Sequence, residues 1–151
     1  MVQTWKNGRG KLGVLAPLIG RWRAEAESPM GQVVCEREFS RVLGDKYVQL
    51  DAVWRFGGKA GDGYRERAIY GPDKDGVLSC WSFTSDGKRS EGRLADGTDI
   101  HAKAICFEAQ MDAGLARQIY WPDAAKGARW AVEAKNKSGW RRFTEHHYRS
   151  F

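Results

Sequence analysis

Over most of its length the chain alternates hydrophobic and polar residues with a period of two, and clusters of Gly, Pro, Asn and Asp interrupt the alternation at steady intervals. Successive side chains of a β-strand point to opposite faces, so the pattern predicts strands with one dry and one wet face. In one segment Val48, Leu50, Ala52, Trp54 and Phe56 share a face, while Tyr47, Gln49, Asp51 and Arg55 fill most of the other. In another, Ala128, Trp130, Val132 and Ala134 oppose Arg129, Glu133 and Lys135. Turn signals fall at Pro29-Met30-Gly31, Gly44-Asp45, Gly57 to Gly63, Gly71 to Gly76, Ser85-Asp86-Gly87, Asp96-Gly97, Asp112-Ala113-Gly114, Pro122 to Gly127 and Asn136 to Gly139. These nine turns delimit ten short strands.

Only the head of the chain has helical spacing. Leu12, Leu15, Ala16 and Ile19 stand at i, i+3, i+4 and i+7, one apolar stripe on a short helix that Pro17 shortens further. An antiparallel meander of ten strands left open would expose two edges, so closure is expected: an all-β, up-and-down β-barrel with the helix capping one end. No repeat of 20 to 50 residues is visible, which removes propellers and solenoids. The expectation is a single domain over residues 1–151, with residues 1–10 a flexible leader.

Composition narrows the class. A chain of 151 residues has room for one core. Its 18 glycines serve as hairpin punctuation, but its seven tryptophans must be divided between a core and the walls of a pocket. The net charge of +6 permits anionic partners without requiring them. Basic residues are interleaved with acids, as in Glu36-Arg37-Glu38 and Arg65-Glu66-Arg67, and read as solvated strand faces, so nucleic acid is not expected as a partner. Both faces of the second triplet are mixed, and the pattern does not choose between them. Cys35, Cys80 and Cys106 form no C-x-x-C pair and read as reduced, buried residues of a cytoplasmic protein. No apolar run is long enough to span a membrane, so membrane insertion is not expected. Leu12 to Gly20 mimics a signal peptide, but Pro17, Arg21, Arg23 and Glu25 spoil it. The Asn136-Lys137-Ser138 sequon then reads as a turn.

Familiar motifs fail on context. Gly8-Arg9-Gly10-Lys11-Leu12-Gly13 spells G-x-G-x-x-G, but no βαβ unit surrounds it to hold a pyrophosphate. Asp73-Lys74-Asp75-Gly76 lacks the later ligands of a calcium loop. His146 and His147 are adjacent in the last strand and point to opposite faces, so they cannot share one metal. No nucleophile, base and orienting group can be named from spacing, and the reading leans away from an enzyme.

The last strand does offer a candidate site. Trp140, Arg142, Thr144, His146 and Tyr148 form one row, and Arg141, Phe143, Glu145, His147 and Arg149 the other. The second row is the more charged and is assigned to solvent. The first suits a lined cavity for a partly polar ligand, or else pairs with acids inside the barrel. Cys80-Trp81-Ser82-Phe83, leading into the Ser85-Asp86-Gly87 turn with Lys88 and Arg89, reads either as a rim for an anionic head group or as a soluble hairpin tip.

Leu15-Ala16-Pro17-Leu18-Ile19-Gly20-Arg21-Trp22-Arg23, a short apolar helix running into Gly-x-Trp, resembles the opening of the calycin barrels. Within them the chain is most similar to the nitrobindin-like and fatty-acid-binding-protein-like families, and closest to their uncharacterised bacterial relatives. The resemblance implies that Trp22 closes the barrel floor beneath Arg142 or Arg149. The seven tryptophans and the polar last strand, in the barrel that the resemblance implies, point to a small, largely apolar ligand, anionic or lipid-like molecules included, bound inside it. Trp22, Trp54, Trp81 and Phe83 would supply apolar walls, and Arg142, His146 and Tyr148 the orienting polar groups. The alternative the resemblance carries is a haem-binding protein acting on reactive nitrogen or oxygen species, with His146 as axial ligand. The nitrobindins' glycines after the tryptophan are replaced here by Arg23-Ala24-Glu25-Ala26-Glu27-Ser28-Pro29. The reading leaves room for a homodimer.

Overall fold

A computed structural model describes residues 5–29, 31–57, 63–124 and 127–151. A 3-10 helix, Gly13–Leu18, leads into ten strands: β1 (Gly20–Ser28), β2 (Gly31–Val42), β3 (Tyr47–Phe56), β4 (Tyr64–Pro72), β5 (Leu78–Thr84), β6 (Arg89–Ala95), β7 (Ile105–Met111), β8 (Gly114–Pro122), β9 (Ala128–Asn136) and β10 (Gly139–Ser150). Each pairs antiparallel with its neighbours in sequence, and β10 returns to β1 to close the barrel. The closed ten-stranded antiparallel barrel is the architecture that the alternation and the turn spacing called for. Among the described residues no helix is long and apolar enough to cross a membrane.

Closure rests on a short seam. Between β1 and β10 the ladder has only Trp22↔Ser150 and Arg23↔Arg149, extended by the Phe151 N–H donating to the Arg21 carbonyl at 3.1 Å. The β2–β3 ladder, by contrast, runs unbroken from Val33↔Phe56 to Val42↔Tyr47. The Arg21 guanidinium lies 4.5 Å from the centre of the Phe151 ring and reinforces the seam. At the β2–β3 turn Leu43, Gly44 and Asp45 all take positive φ, 53°, 66° and 61°. Glycine accepts that conformation at no steric cost and Asp tolerates it, whereas Leu43 carries strain there.

The helix caps the barrel differently from the expected α-helical stripe. In a 3-10 helix residues three apart lie over one another. The buried row is accordingly Leu12, Leu15 and Leu18, and Ile19 only packs at its margin. Pro17 is buried within this single short helix, where its missing N–H costs little. These leucines join Trp22, Phe39, Val48, Leu50 and Tyr70 in the main core of the barrel. The Trp22 indole N–H donates to the Leu18 carbonyl at 2.8 Å, tying the first strand to the cap. Of the expected leader, residues 1–4 lie outside the described residues. Trp5 donates its indole N–H to the Lys103 carbonyl at 2.9 Å, and Gly8 donates to the Gly13 carbonyl at 2.8 Å.

A second, smaller core sits on the outside of the sheet. Cys106, Ile119, Trp121 and Ala131 are covered by Ala95 at the end of β6 and by Ile100 and Ala104 of the β6–β7 connection. Arg117 clamps that connection with a two-pronged bond to Asp99 (3.0 and 2.7 Å) and also donates to Glu133 at 2.9 Å. Arg142 reaches the same Glu133 at 2.9 Å and stacks on Trp121, while Arg117 stacks on Trp140. Arg117 and Glu133 are each 3% exposed, so these pairings satisfy charges held out of water.

Leu15, with no exposed surface, leaves a cavity in the cap when truncated, whereas Leu43 is 70% exposed. Leu15→Ala should lower unfolding free energy by ~2–5 kcal/mol and Leu43→Ala change it by less than ~0.5 kcal/mol, both read from urea midpoints.

Candidate functional site

The interior row of β2 reads Val33, Cys35, Arg37, Phe39, and all four are buried. Arg37 is therefore a guanidinium in the middle of the barrel, 2% exposed. On the same rung, Ala52 of β3 pairs with Arg37 on one side and with Glu66 of β4 on the other. The methyl of Ala52 lets the two longer side chains approach above it. Arg37 Nη1 stands 3.9 Å from Glu66 Oε1, and Glu66 Oε2 accepts the Ser82 hydroxyl of β5.

Across the barrel the guanidinium meets hydroxyls. Nε donates to the Tyr148 oxygen at 3.1 Å and Nη1 to the Tyr120 oxygen at 3.0 Å, while the plane lies 4.4 Å from the Trp130 ring centre. Burial works against the charge on Arg37, but Tyr120, Tyr148 and Glu66 outweigh it and raise its pKa further. Burial also raises Tyr148, to about 12, so its hydroxyl is neutral. Besides Arg37, the Tyr148 hydroxyl is in hydrogen-bond contact with His146 Nδ1, 3.1 Å away, and with the Cys35 thiol. The His146 ring lies 5.3 Å from that of Trp54 and 4.9 Å from that of Trp130.

Beyond this polar centre Val33 and Cys35 of β2 remain packed, whereas the interior beside β4 to β9 is hollow. On the capped side the interior is the solid core of Phe39, Tyr70 and the leucines. On the other side lies a cavity of about 470 Å³, with Arg37, Glu66 and Ser82 in its floor and Trp54, Cys80, Phe107, Ala109, Trp130 and Val132 in its walls. Its mouth is ringed by hairpin residues, among them Lys88, Arg89, Met111 and Phe143. The volume lies within the roughly 300–1,000 Å³ of small-molecule pockets.

The sequence-expected site residues separate into two groups. Trp54, His146 and Tyr148 come together inside, Trp54 in the cavity wall and the other two beside Arg37. Trp22 lies in the packed core under the cap rather than in the cavity wall. Trp81 and Phe83 do share a face, but it is the outer one, where Phe83 is 54% exposed; the inner row of β5 is Cys80, Ser82 and Thr84. Arg142 is also outside, and the reason is a β-bulge. The β9–β10 register shifts between Arg142↔Glu133 and Thr144↔Val132, so Phe143 is an extra residue and every side chain beyond it changes face. Thr144, His146 and Tyr148 are inside as expected, while Arg142 joins Glu133 and Glu145 on the surface. Neither Arg142 nor Arg149 covers Trp22; the interior guanidinium on an indole is Arg37 on Trp130.

Arg37, Glu66, Ser82 and Tyr120 escaped the sequence reading. The two charged triplets taken as solvated faces are so only at their flanks: Glu36 pairs with Arg55, and Arg65 and Arg67 pair with Asp51. Their middle residues, Arg37 and Glu66, turn inward and face each other. The available signal was parity, since Arg37 shares its row with Val33, Cys35 and Phe39, and Glu66 shares its row with Ala68 and Tyr70.

Among the described residues no cluster of three or more His, Cys, Asp or Glu could hold a metal ion, and all three cysteines are free and buried. No protein-family model matches the chain, and no curated protein does.

Burial, followed by the charges of Arg37 and His147, lowers the His146 pKa to about 4. The unfolded chain then binds a proton near pH 6.5 that the folded barrel refuses until about pH 4. The contribution is fully present above pH 6.5 and is lost as pH falls across that window, by about 3 kcal/mol. His146→Phe should flatten this part of the stability profile, measured by urea unfolding at closely spaced pH values.

Proposed function

We propose that the barrel binds a small, largely apolar molecule in the cavity above Arg37. The observation that carries this reading is the apolar-walled cavity that opens beside the Arg37 rung along β4 to β9, in a barrel otherwise packed under the cap and along β2. Apolar walls supply affinity by releasing water, and a few fixed polar groups at one end supply orientation. Here those groups are Arg37, Glu66 and Ser82, held by Tyr120 and Tyr148. Preorganisation lowers the cost of binding, because the guanidinium is already oriented before a ligand arrives. The calycin resemblance, in its nitrobindin-like and fatty-acid-binding-protein-like forms, agrees with a ligand in this position.

The uncharged dye N-phenyl-1-naphthylamine should bind stoichiometrically and quench the fluorescence of Trp54 and Trp130, which line the cavity. Ala116→Trp fills the space from β8 and should weaken that binding at least about tenfold, corresponding to ~1.4 kcal/mol, with the thermal transition retained. Equal dye binding by both proteins would argue for a surface site instead.

The haem reading depends on His146. Its ring is held between Trp54 and Trp130, it is buried, and it is not among the residues that wall the cavity. These residues do not fit an axial ligand, which needs a ring nitrogen presented to open space. Added haemin should give no Soret shift that His146→Ala abolishes.

A further inference from the structure

The two charges in the cavity floor are near each other without being joined. Nη1 of Arg37 and Oε1 of Glu66 are 3.9 Å apart, close enough to attract but beyond hydrogen-bond reach. Arg37 spends Nε and Nη1 on Tyr148 and Tyr120, and Glu66 spends Oε2 on Ser82. Between the two strands Ala52 offers only a methyl, so nothing bulky fills the gap from below. Both Arg37 and Glu66 line the cavity. A gap of this length between a donor and an acceptor is bridged by a group that carries both functions.

The floor is also electrically balanced. One guanidinium faces one carboxylate, burial keeps both Tyr120 and Tyr148 neutral, and His146 is uncharged at neutral pH. A ligand carboxylate would gain attraction from Arg37, but it would lose its hydration and set a second negative charge close to Glu66 in a medium of low dielectric. An uncharged amide escapes both costs: its carbonyl accepts from Arg37 and its N–H donates to Glu66. Lys88 and Arg89 do not offset the penalty, because they stand at the solvent-facing mouth, where water screens them.

We propose that the Arg37–Glu66 floor selects ligands with an uncharged head group that both donates and accepts a hydrogen bond, a primary amide being the type case, over carboxylates of the same chain length. The proposal rests on the cavity being a ligand site at all. It reverses the usual expectation for a buried arginine, which alone would favour an anion.

The test compares decanamide with decanoate by calorimetry or by displacement of the dye, on the wild type and on Glu66→Gln. The wild type should bind the amide at least tenfold more tightly. Glu66→Gln leaves Arg37 uncompensated at nearly unchanged shape, and the preference should invert toward decanoate. A wild type that binds decanoate as well as or better than decanamide overturns the selectivity, independently of how the variant folds. An unchanged ratio in a folded Glu66→Gln protein also overturns it, since Glu66 would then not be the selecting group. Failure of both probes and of the dye to bind the wild type would remove the underlying ligand-site reading as well.

Discussion

A guanidinium cannot be held inside a protein without partners, and the interior of this barrel is arranged around that constraint at Arg37. The pleat delivers the residue inward, because it shares a row with Val33, Cys35 and Phe39. Once there, it draws in Tyr120 from β8, Tyr148 from β10 and Glu66 from β4. Strands far apart in sequence are thus tied at one level of the barrel. Ser82 and His146 belong to the same network at second hand, through Glu66 and Tyr148. The arrangement is demanding, since loss of Tyr120 or Tyr148 removes one of the hydrogen bonds that compensate the buried Arg37.

Along β4 to β9 that level also marks a change in the interior, while Val33 and Cys35 keep β2 packed beyond it. Toward the 3-10 cap, leucines and aromatic rings fill the space, and Trp22 ties the first strand to the cap. Toward the hairpin end, small residues take the inner positions: Ala109, Ala116, Ala134, Ser82 and Gly92. Small residues in a ring of this circumference leave volume unfilled, and two tryptophans cannot close it. The tryptophans therefore divide by task. Trp22 belongs to the packed core and Trp54 and Trp130 to the cavity, while Trp121 and Trp140 carry arginines on the outer surface. Trp5 fastens the chain's start to the β6–β7 connection, and Trp81 lies on the outer face of β5.

The outer face has its own organising ion network. Arg117 and Arg142 share Glu133, and Asp99 pins the β6–β7 connection over the small core of Cys106, Ile119, Trp121 and Ala131. Burial of apolar surface beneath that connection accounts for its ordered course, and Arg117 supplies direction rather than the bulk of the stabilisation. The bulge at Phe143 is what makes Arg142 available to this network. It allows one strand to serve two surfaces, with its first part facing the outer cluster and its last part the barrel centre.

Local rules were enough for the strand count, the antiparallel order, the closure and the apolar cap, because alternation and turn chemistry are properties of neighbouring residues. They also placed Trp54, His146 and Tyr148 inside, where parity along a single strand suffices. The site itself depends on longer-range facts. Parity propagates only until a bulge, and nothing in Arg142-Phe143-Thr144 announces that the strand changes face there. A charged triplet such as Glu36-Arg37-Glu38 looks like a wet face until the strands beside it show that its centre has a carboxylate waiting one strand beyond Ala52. Which charges are buried is decided by partners that sequence distance hides, and only the closed barrel brings those partners to one level.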